Sequence, residues 1–200
     1  MTALQHMLVD AAAPQPWRNG GGATRELFTW PGAAGQAGEP WQLRISLADI
    51  TQDGPFSAFA GVDRWFAVLQ GTGVRLGLPT GEHTLTMTSP PLQFAGEDTP
   101  GCWLTDGPTR DLNLMLQRGA GRAWMLPALP GQPWQSGAPL RALFTTGALQ
   151  LQTDAGPPQP VAAWSLVLGT AAAGQVWSIT AHSTGAGTRA LWLAFAPRHP

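Results

Sequence analysis

Short runs of alternating apolar and polar residues recur along this chain, separated by glycine and proline. The alternation is clearest in Trp41–Leu47, where every second side chain is apolar. A period of two residues puts successive side chains on opposite faces of a strand, so this run predicts one wet face and one dry face. Similar apolar segments are Arg64–Leu69, Leu112–Leu116, Ala163–Leu168 and Ala190–Phe195. Strands at such regular spacing predict an all-β sandwich or barrel.

Glycine and proline leave little room for helices of ordinary length, since the chain has 25 glycines and 19 prolines. A helix is conceivable only at Arg122–Leu129, where Pro127 limits it to a turn or two. The segment Leu140–Gln152, interrupted by Gly147, is interpreted as a hairpin that opens the second half of the chain.

A weak internal repeat suggests two similar halves. The segment Phe66–Gly71 resembles Ser165–Gly169, because each is an apolar strand that ends at a glycine turn. The stretch Gly119–Pro133 contains glycine and proline without strong alternation, which marks it as the boundary. We therefore predict two barrel-like domains, residues 1–120 and 121–200.

Composition excludes several classes of function. The formal net charge is -1, so there is no electrostatic reason to expect a nucleic acid as partner. The single cysteine, Cys102, cannot form an internal disulfide. No apolar run approaches the length of a membrane span, and the first sixteen residues lack the pattern of a signal peptide. We expect a cytoplasmic protein with no membrane partner.

The densest polar segment surrounds three consecutive glycines, Gly20–Gly22. Glycines permit left-handed backbone angles and close approach to another group. Trp17 and Asn19 precede the glycines and Arg25 follows them. One interpretation is the mouth of a pocket whose backbone N–H groups and Arg25 receive an anion. The alternative is a plain glycine turn that leads into a strand at Thr24–Trp30.

Two further segments carry polar residues on apolar strands. Asp63 and Arg64 begin one strand, where Asp63 orients Arg64 if both point inward. If the two alternate, one of them is a surface charge. In the other strand, Asp111 and Asn113 share a face with Met115. That face lines a cavity if it points inward and is solvated if it points outward.

The same segments resemble the HutD/Ves family, which accompanies bacterial histidine utilisation. The resemblance lies in four ordered motifs, Pro16–Glu26, Phe56–Arg64, Phe94–Glu97 and Gly107–Met115. Arg18 and Ala23 stand where the family has Lys and Thr. The resemblance implies a bicupin, that is, two antiparallel cupin-like barrels in one chain, with a role in histidine degradation. It implies no established catalytic reaction.

Three hypotheses of function follow. In the first, the first barrel binds a small organic acid such as urocanate or a formyl- or formimino-glutamate. Arg25 and Arg64 would bind the carboxylate in this hypothesis. The second is a metal-independent enzyme with Glu26, Asp63 or Asp111 as general base. The third is a partner-binding protein that uses a Trp-rich surface of the second barrel. The predicted ligand site comprises Trp17, Asn19, Arg25, Asp63, Arg64, Asp111 and Asn113.

Metal and nucleophile chemistry are not expected. Cupin enzymes hold a metal with an H-x-H pair, a glutamate and a later histidine, whereas the four histidines here are scattered: His6, His83, His182 and His199. We predict that the protein holds no metal and needs no cofactor. Cys102 is interpreted as a small buried residue. The assembly is left open, with a homodimer as one possibility.

Overall fold

The described residues of this computed structural model are 4–31, 41–154, 156–170, 172, 174–181 and 187–198. Within them nearly all regular structure is β-strand, as the alternating pattern predicted. In these ranges the helical elements are two short 3-10 turns, Val9–Ala11 and Gly96–Asp98. No helix in these described ranges is long and apolar enough to cross a membrane.

Nineteen strands follow one another along the described parts of the chain. In chain order they are β1 (Gln5–Leu8), β2 (Gln15–Pro16), β3 (Gly22–Trp30), β4 (Leu43–Ile50), β5 (Gly54–Pro55), β6 (Val62–Gln70), β7 (Val74–Leu78), β8 (Gly81–Leu85), β9 (Leu92–Ala95), β10 (Gly101–Leu104), β11 (Thr109–Gln117), β12 (Gly121–Pro127), β13 (Trp134–Gln135), β14 (Leu140–Thr145), β15 (Leu149–Thr153), β16 (Gln159–Val161), β17 (Ser165–Thr170), β18 (Val176–Ala181) and β19 (Ala190–Pro197).

The first unit comprises residues 12–120 and contains two antiparallel sheets. The larger sheet has the strand order β2-β3-β4-β11-β6-β9, and the smaller has the order β5-β10-β7-β8. Both sheets contribute to one apolar core, with Phe66 and Val68 from the larger sheet and Leu76 and Cys102 from the smaller. This arrangement of two sheets around one core is that of a jelly roll.

The second unit comprises residues 1–11 together with 121–200, which corrects the predicted domains 1–120 and 121–200. The reason is strand pairing, because β1 runs antiparallel to β17, with Gln5 opposite Leu168 and Leu8 opposite Ser165. The N-terminal strand therefore completes the sheet with the order β1-β17-β14-β19-β12. The second sheet of this unit has the order β13-β18-β15-β16.

Two local predictions in the second half were wrong. Arg122 to Pro127 form the strand β12, paired with β19, rather than a helical turn. The segments around Gly147 form strands β14 and β15, but these belong to different sheets and so are no hairpin. In the bend between the two strands, the Thr145 hydroxyl donates to the Gly147 carbonyl at 2.7 Å.

Tryptophans fill the interior of the second unit. Trp134 stacks on Trp192 with ring centroids 4.9 Å apart, and Trp177 meets both edge-on. Trp177 and Trp192 are buried in the core cluster. Each large aromatic ring buries more apolar area than an aliphatic side chain does. These three tryptophans pack together in or against the core, while Trp103 and Trp124 are exposed.

Candidate functional site

A cavity of about 500 Å³ opens in the first unit. Its base is the inner face of the six-stranded sheet, and its rim is built from the segment before β3 and the loop after β5. The residues that line it are Gln15, Pro16, Trp17, Arg18, Asn19, Thr24, Arg44, Ser46, Ala48, Ile50, Pro55, Phe56, Ser57, Phe59, Arg64, Phe66, Asn113 and Met115. The lining thus combines arginine and amide groups with aromatic and aliphatic walls, which is typical of small-molecule sites.

Strand register assembles the base of the cavity from three neighbouring strands. Met115 of β11 lies between Arg44 of β4 and Arg64 of β6. Asn113, two residues earlier, lies between Ser46 and Phe66 in the next row. Since side chains alternate along a strand, these two rows point to the same side of the sheet.

Arg64 is the most confined cation of the cavity. It is 8% exposed, and its Nε and Nη2 atoms both donate to Asn113 Oδ1, at 3.0 and 2.7 Å. The guanidinium lies 4.4 Å from the Phe56 ring centroid and 5.4 Å from that of Phe94. Burial between aromatic faces with an amide acceptor fixes the orientation of this group without neutralising its charge.

The pKa of Arg64 reports the same environment. Burial first, and then the positive charge of Arg44, lower this pKa to about 10, while Cys102 and Asp111 act in the opposite direction. A pKa of about 10 leaves the guanidinium charged at neutral pH. The site therefore holds a buried positive charge whose hydrogen-bond acceptor is a neutral amide.

The charged side chains among the described lining residues are all positive. Arg18, Arg44 and Arg64 line the cavity, whereas none of its described lining residues is a carboxylate. Arg44 forms an ion pair with Glu26, which does not line the cavity: Arg44 Nε donates to Glu26 Oε2 at 2.8 Å. The lining as a whole is positive, so an anion is the ligand that this cavity favours.

The segment before β3 places Trp17 and Asn19 at the rim. Trp17 Nε1 donates to Thr24 Oγ1 at 2.8 Å, and Asn19 Oδ1 accepts from the Gly21 amide at 3.1 Å. The Gly20 amide donates to the Trp17 carbonyl. The amides of Gly20 and Gly21 are thus used within the turn itself, which corrects the hypothesis that they receive an anion.

Arg25 lies away from the cavity that it was predicted to serve. Its Nη1 donates to the Ala12 carbonyl at 2.7 Å, and its Nε is 3.9 Å from Asp49 Oδ2. Thr24 lines the cavity and Arg25 follows it on β3, so alternation turns Arg25 to the opposite face.

Asp63 and Asp111 also lie outside the lining. Asp63 accepts from Arg118 Nε at 2.8 Å on the side of β6 opposite Arg64, so the two residues alternate and Asp63 does not orient Arg64. Asp111 is fully buried, accepts from Thr109 Oγ1 at 2.8 Å, and acts on Arg64 through its charge. Neither of them, nor Glu26, lines the cavity as a general base would.

Sequence reasoning missed Arg44 and Ser46. A signal was present, because both lie on the polar face of the alternating run Trp41–Leu47. That face was predicted to be wet, but Ser46 is 2% exposed, and the apolar face of β4 is buried as well. The polar face lines the cavity rather than the outer surface.

The histidines and the cysteine give no cluster in the described ranges. There, no group of three or more His, Cys, Asp or Glu side chains could hold a metal ion. His6 lies on β1 and His83 on β8, in different units, while His182 and His199 lie outside the described residues. Cys102 is buried, and desolvation raises the pKa of its thiol to about 12, so the thiol is a poor nucleophile. The absence of a bound metal stays a prediction.

The sequence is similar to a family model over most of its length and to curated relatives over about half of it. The HutD family model matches residues 10–186. An uncharacterized 21.2 kDa protein in the hutC 3′ region of Pseudomonas putida is 38% identical over 115 residues, 58% of this chain and 59% of that protein. Protein Ves of Citrobacter koseri is 38% identical over 104 residues, 51% of this chain and 52% of that protein. The matches thus span between 52% and 59% of these curated relatives.

Solved structures resemble the chain along nearly its whole length. HutD from Pseudomonas fluorescens SBW25 has a TM-score of 0.81 and 26% identity, covering 98% of this chain and 100% of that one. A Cupin 2 conserved barrel domain protein from Leptotrichia buccalis has a TM-score of 0.55 and 10% identity, covering 98% and 97% of the two chains. The second likeness shows the fold alone. The predicted all-β, cupin-like fold is confirmed.

Proposed function

Because this chain belongs to the HutD family, as its motifs predicted, we propose that it binds a small organic anion of histidine catabolism and has a regulatory or sensing role. The family is associated with the histidine-utilisation locus. The ligand is a carboxylate-bearing intermediate of the urocanate or formyl- or formimino-glutamate type, and it occupies the cavity of the first unit.

One observation carries this proposal, namely the environment of Arg64. A buried guanidinium that stays charged needs acceptors, and the described acceptor is the single amide oxygen of Asn113. A carboxylate placed beside Arg64 adds charge-assisted hydrogen bonds, worth roughly 1.5–3 kcal/mol each. Arg44 strengthens the attraction from β4, on the other side of β11, since its positive charge acts on the same site.

The remaining lining suits a ligand with both polar and apolar parts. Phe56, Phe59 and Phe66 offer aromatic faces beside the arginines, and Trp17 adds a fourth aromatic ring to the lining. Ser46 and Asn113 offer groups that can donate to or accept from a second polar end of the ligand. No carboxylate stands among the described lining residues to act as a general base, so we propose binding rather than turnover.

Calorimetry with formate, acetate, urocanate and formylglutamate tests the proposal. HutD from Pseudomonas fluorescens was solved in a formate condition, which makes formate a natural first probe. We expect at least one anion to bind the unchanged protein and Arg64→Ala to bind it roughly tenfold or more weakly, since a charge-assisted bond is lost.

Two further variants sharpen the result. Asn113→Asp keeps the side-chain shape but gives Arg64 a carboxylate partner, so we expect the anion to be displaced while the protein stays folded. Arg75→Ala is the matched control, because Arg75 pairs with Glu82 at 3.4 Å outside the cavity. Equal affinity of the unchanged protein and Arg64→Ala for every anion would contradict the proposal, and so would an absence of binding.

A further inference from the structure

One wall of the cavity is a loop rather than a strand. Residues 56–61, here called the wall loop, connect β5 to β6 and contribute Phe56, Ser57 and Phe59 to the lining. Phe56 is also the ring that covers the Arg64 guanidinium at 4.4 Å. Any displacement of this loop therefore changes the space beside the arginine that we propose as the anion anchor.

Backbone hydrogen bonds attach the wall loop to the turn that follows β9. The Phe56 amide donates to the Pro100 carbonyl at 3.0 Å, and the Phe59 amide donates to the Gly96 carbonyl at 2.9 Å. The fit is close, because a Cβ added at Gly96 would lie 2.4 Å from the Phe59 carbonyl oxygen. The position of this turn thus determines the position of the loop.

A cluster of charged side chains binds the last residue of the wall loop, Gly61. Arg118 donates from Nη1 and Nη2 to the two carboxylate oxygens of Glu97, at 2.6 and 2.5 Å, and from Nε to Asp63 at 2.8 Å. Glu97 Oε1 also accepts from the Gly61 amide at 2.9 Å, and the Arg118 amide donates to the Gly61 carbonyl at 2.7 Å. We call Asp63, Glu97 and Arg118 the Arg118 clamp.

The clamp connects the loop to the strand that carries the anion anchor. Asp63 and Arg64 are adjacent on β6, with Asp63 bound by the clamp and Arg64 turned to the cavity. A two-pronged contact between arginine and carboxylate has a narrow geometry, so it holds its two partners in one relative position. None of the three clamp residues lines the cavity.

We infer that the Arg118 clamp is a positioning device, which holds the wall loop against β6 and thereby sets the affinity of the cavity for its anion. This inference rests on the proposed function. The clamp residues do not line the cavity. A substitution in the clamp therefore changes the affinity for the anion only by moving Phe56 and Phe59.

The test compares Arg118→Ala and Glu97→Gln with the control Arg75→Ala, which breaks another exposed ion pair of the same unit. Calorimetry with formate and urocanate measures affinity, and hydrogen exchange measures the protection of the Phe59 amide. Neither clamp variant removes the acceptor of that amide, the Gly96 carbonyl, so its exchange reports loop movement. Glu97→Gln also keeps a side-chain oxygen for Gly61, which protects the test if Arg118→Ala fails to fold.

We expect both clamp variants to bind the anion more weakly, roughly tenfold for Arg118→Ala, and to exchange the Phe59 amide roughly tenfold faster. Amides of β11 should exchange as before, and Arg75→Ala should change neither measurement. Unchanged affinity or unchanged exchange at Phe59 would overturn the inference. If the unchanged protein binds neither anion, the proposed function fails on its own, and exchange at Phe59 still decides whether the clamp positions the loop.

Discussion

The three consecutive glycines Gly20–Gly22 differ in what each position requires. Gly20 has φ of +72°, a conformation that side chains other than glycine rarely adopt. Gly22 needs space, because a Cβ there would lie 2.2 Å from the Asp49 carbonyl oxygen and 3.0 Å from the Trp17 ring. Gly21 requires neither a positive φ nor extra space, since a Cβ there would lie 3.4 Å from its nearest neighbour, Asn19 Oδ1. Of the three, Gly20 has the left-handed backbone angle that glycine permits.

Alanine substitutions should therefore rank these positions. We expect Gly22→Ala to cost about 1–3 kcal/mol through overpacking against β4 and Trp17. Gly20→Ala should cost about 1 kcal/mol because of its positive φ, and Gly21→Ala should be close to neutral. Denaturation in urea measures all three. Equal midpoints for Gly22→Ala and the unchanged protein would show that the approach to Asp49 is not a real constraint.

At the scale of elements, the family motifs supply two groups of residues, one that lines the cavity and one that binds Arg118. Phe56, Phe59 and Arg64 from one motif build the cavity, whereas Asp63 of that motif and Glu97 of the next bind Arg118. The hydrogen bond from Arg118 is the main reason that the pKa of Glu97 is lowered to about 2, from an ordinary value of 4.5. The same contacts raise the pKa of Arg118.

The lowered pKa of Glu97 predicts how the stabilising effect of the clamp depends on pH. A carboxyl whose pKa is lower in the folded state stabilises the protein above its ordinary pKa, and that contribution is lost as pH falls through the folded value. We expect Glu97→Gln to lower the Tm near neutral pH, and the difference from the unchanged protein to shrink between about pH 4.5 and 2. Glu82→Gln, at the other exposed pair, is the control. A difference in Tm that persists at about pH 2 would contradict this prediction.

At the scale of the whole molecule, strand β1 belongs to the second unit and not to the unit that follows it in the chain. β1 occupies the edge of a sheet whose other members all come from residues 121–200. Leu4 packs against the core of the second unit, and the Val9 amide donates to the Trp164 carbonyl. The N-terminal segment thus covers the β17 edge, which would otherwise present unpaired backbone groups.

Removal of residues 1–11 should consequently weaken the second unit. We expect faster hydrogen exchange in β17 and a lower unfolding temperature, because the β1 ladder and the Leu4 contact are lost. Amides of β11, in the first unit, serve as the internal control. Unchanged protection of β17 in the shortened chain would show that β1 adds nothing to this sheet.

The sequence by itself determined the strands and the family. Apolar runs and glycine spacing were sufficient for β4, β6 and β11, because the extended conformation that places successive side chains on opposite faces is a local property of the chain. The motifs were sufficient for the HutD resemblance. Trp17, Asn19, Arg64 and Asn113 were singled out as ligand-site residues, and the structure brings all four to one cavity.

Only the tertiary structure decided which polar residues share the site. Alternation separates two faces of a strand but does not say which one meets a cavity, and in β4 both faces are buried. Arg44 therefore lines the cavity while Arg25, chosen from the sequence, binds Ala12 on the other side of β3. Arg118 meets Asp63 across 55 residues of chain. Such contacts depend on strand register and loop path, which arise from packing the whole unit rather than from any local pattern.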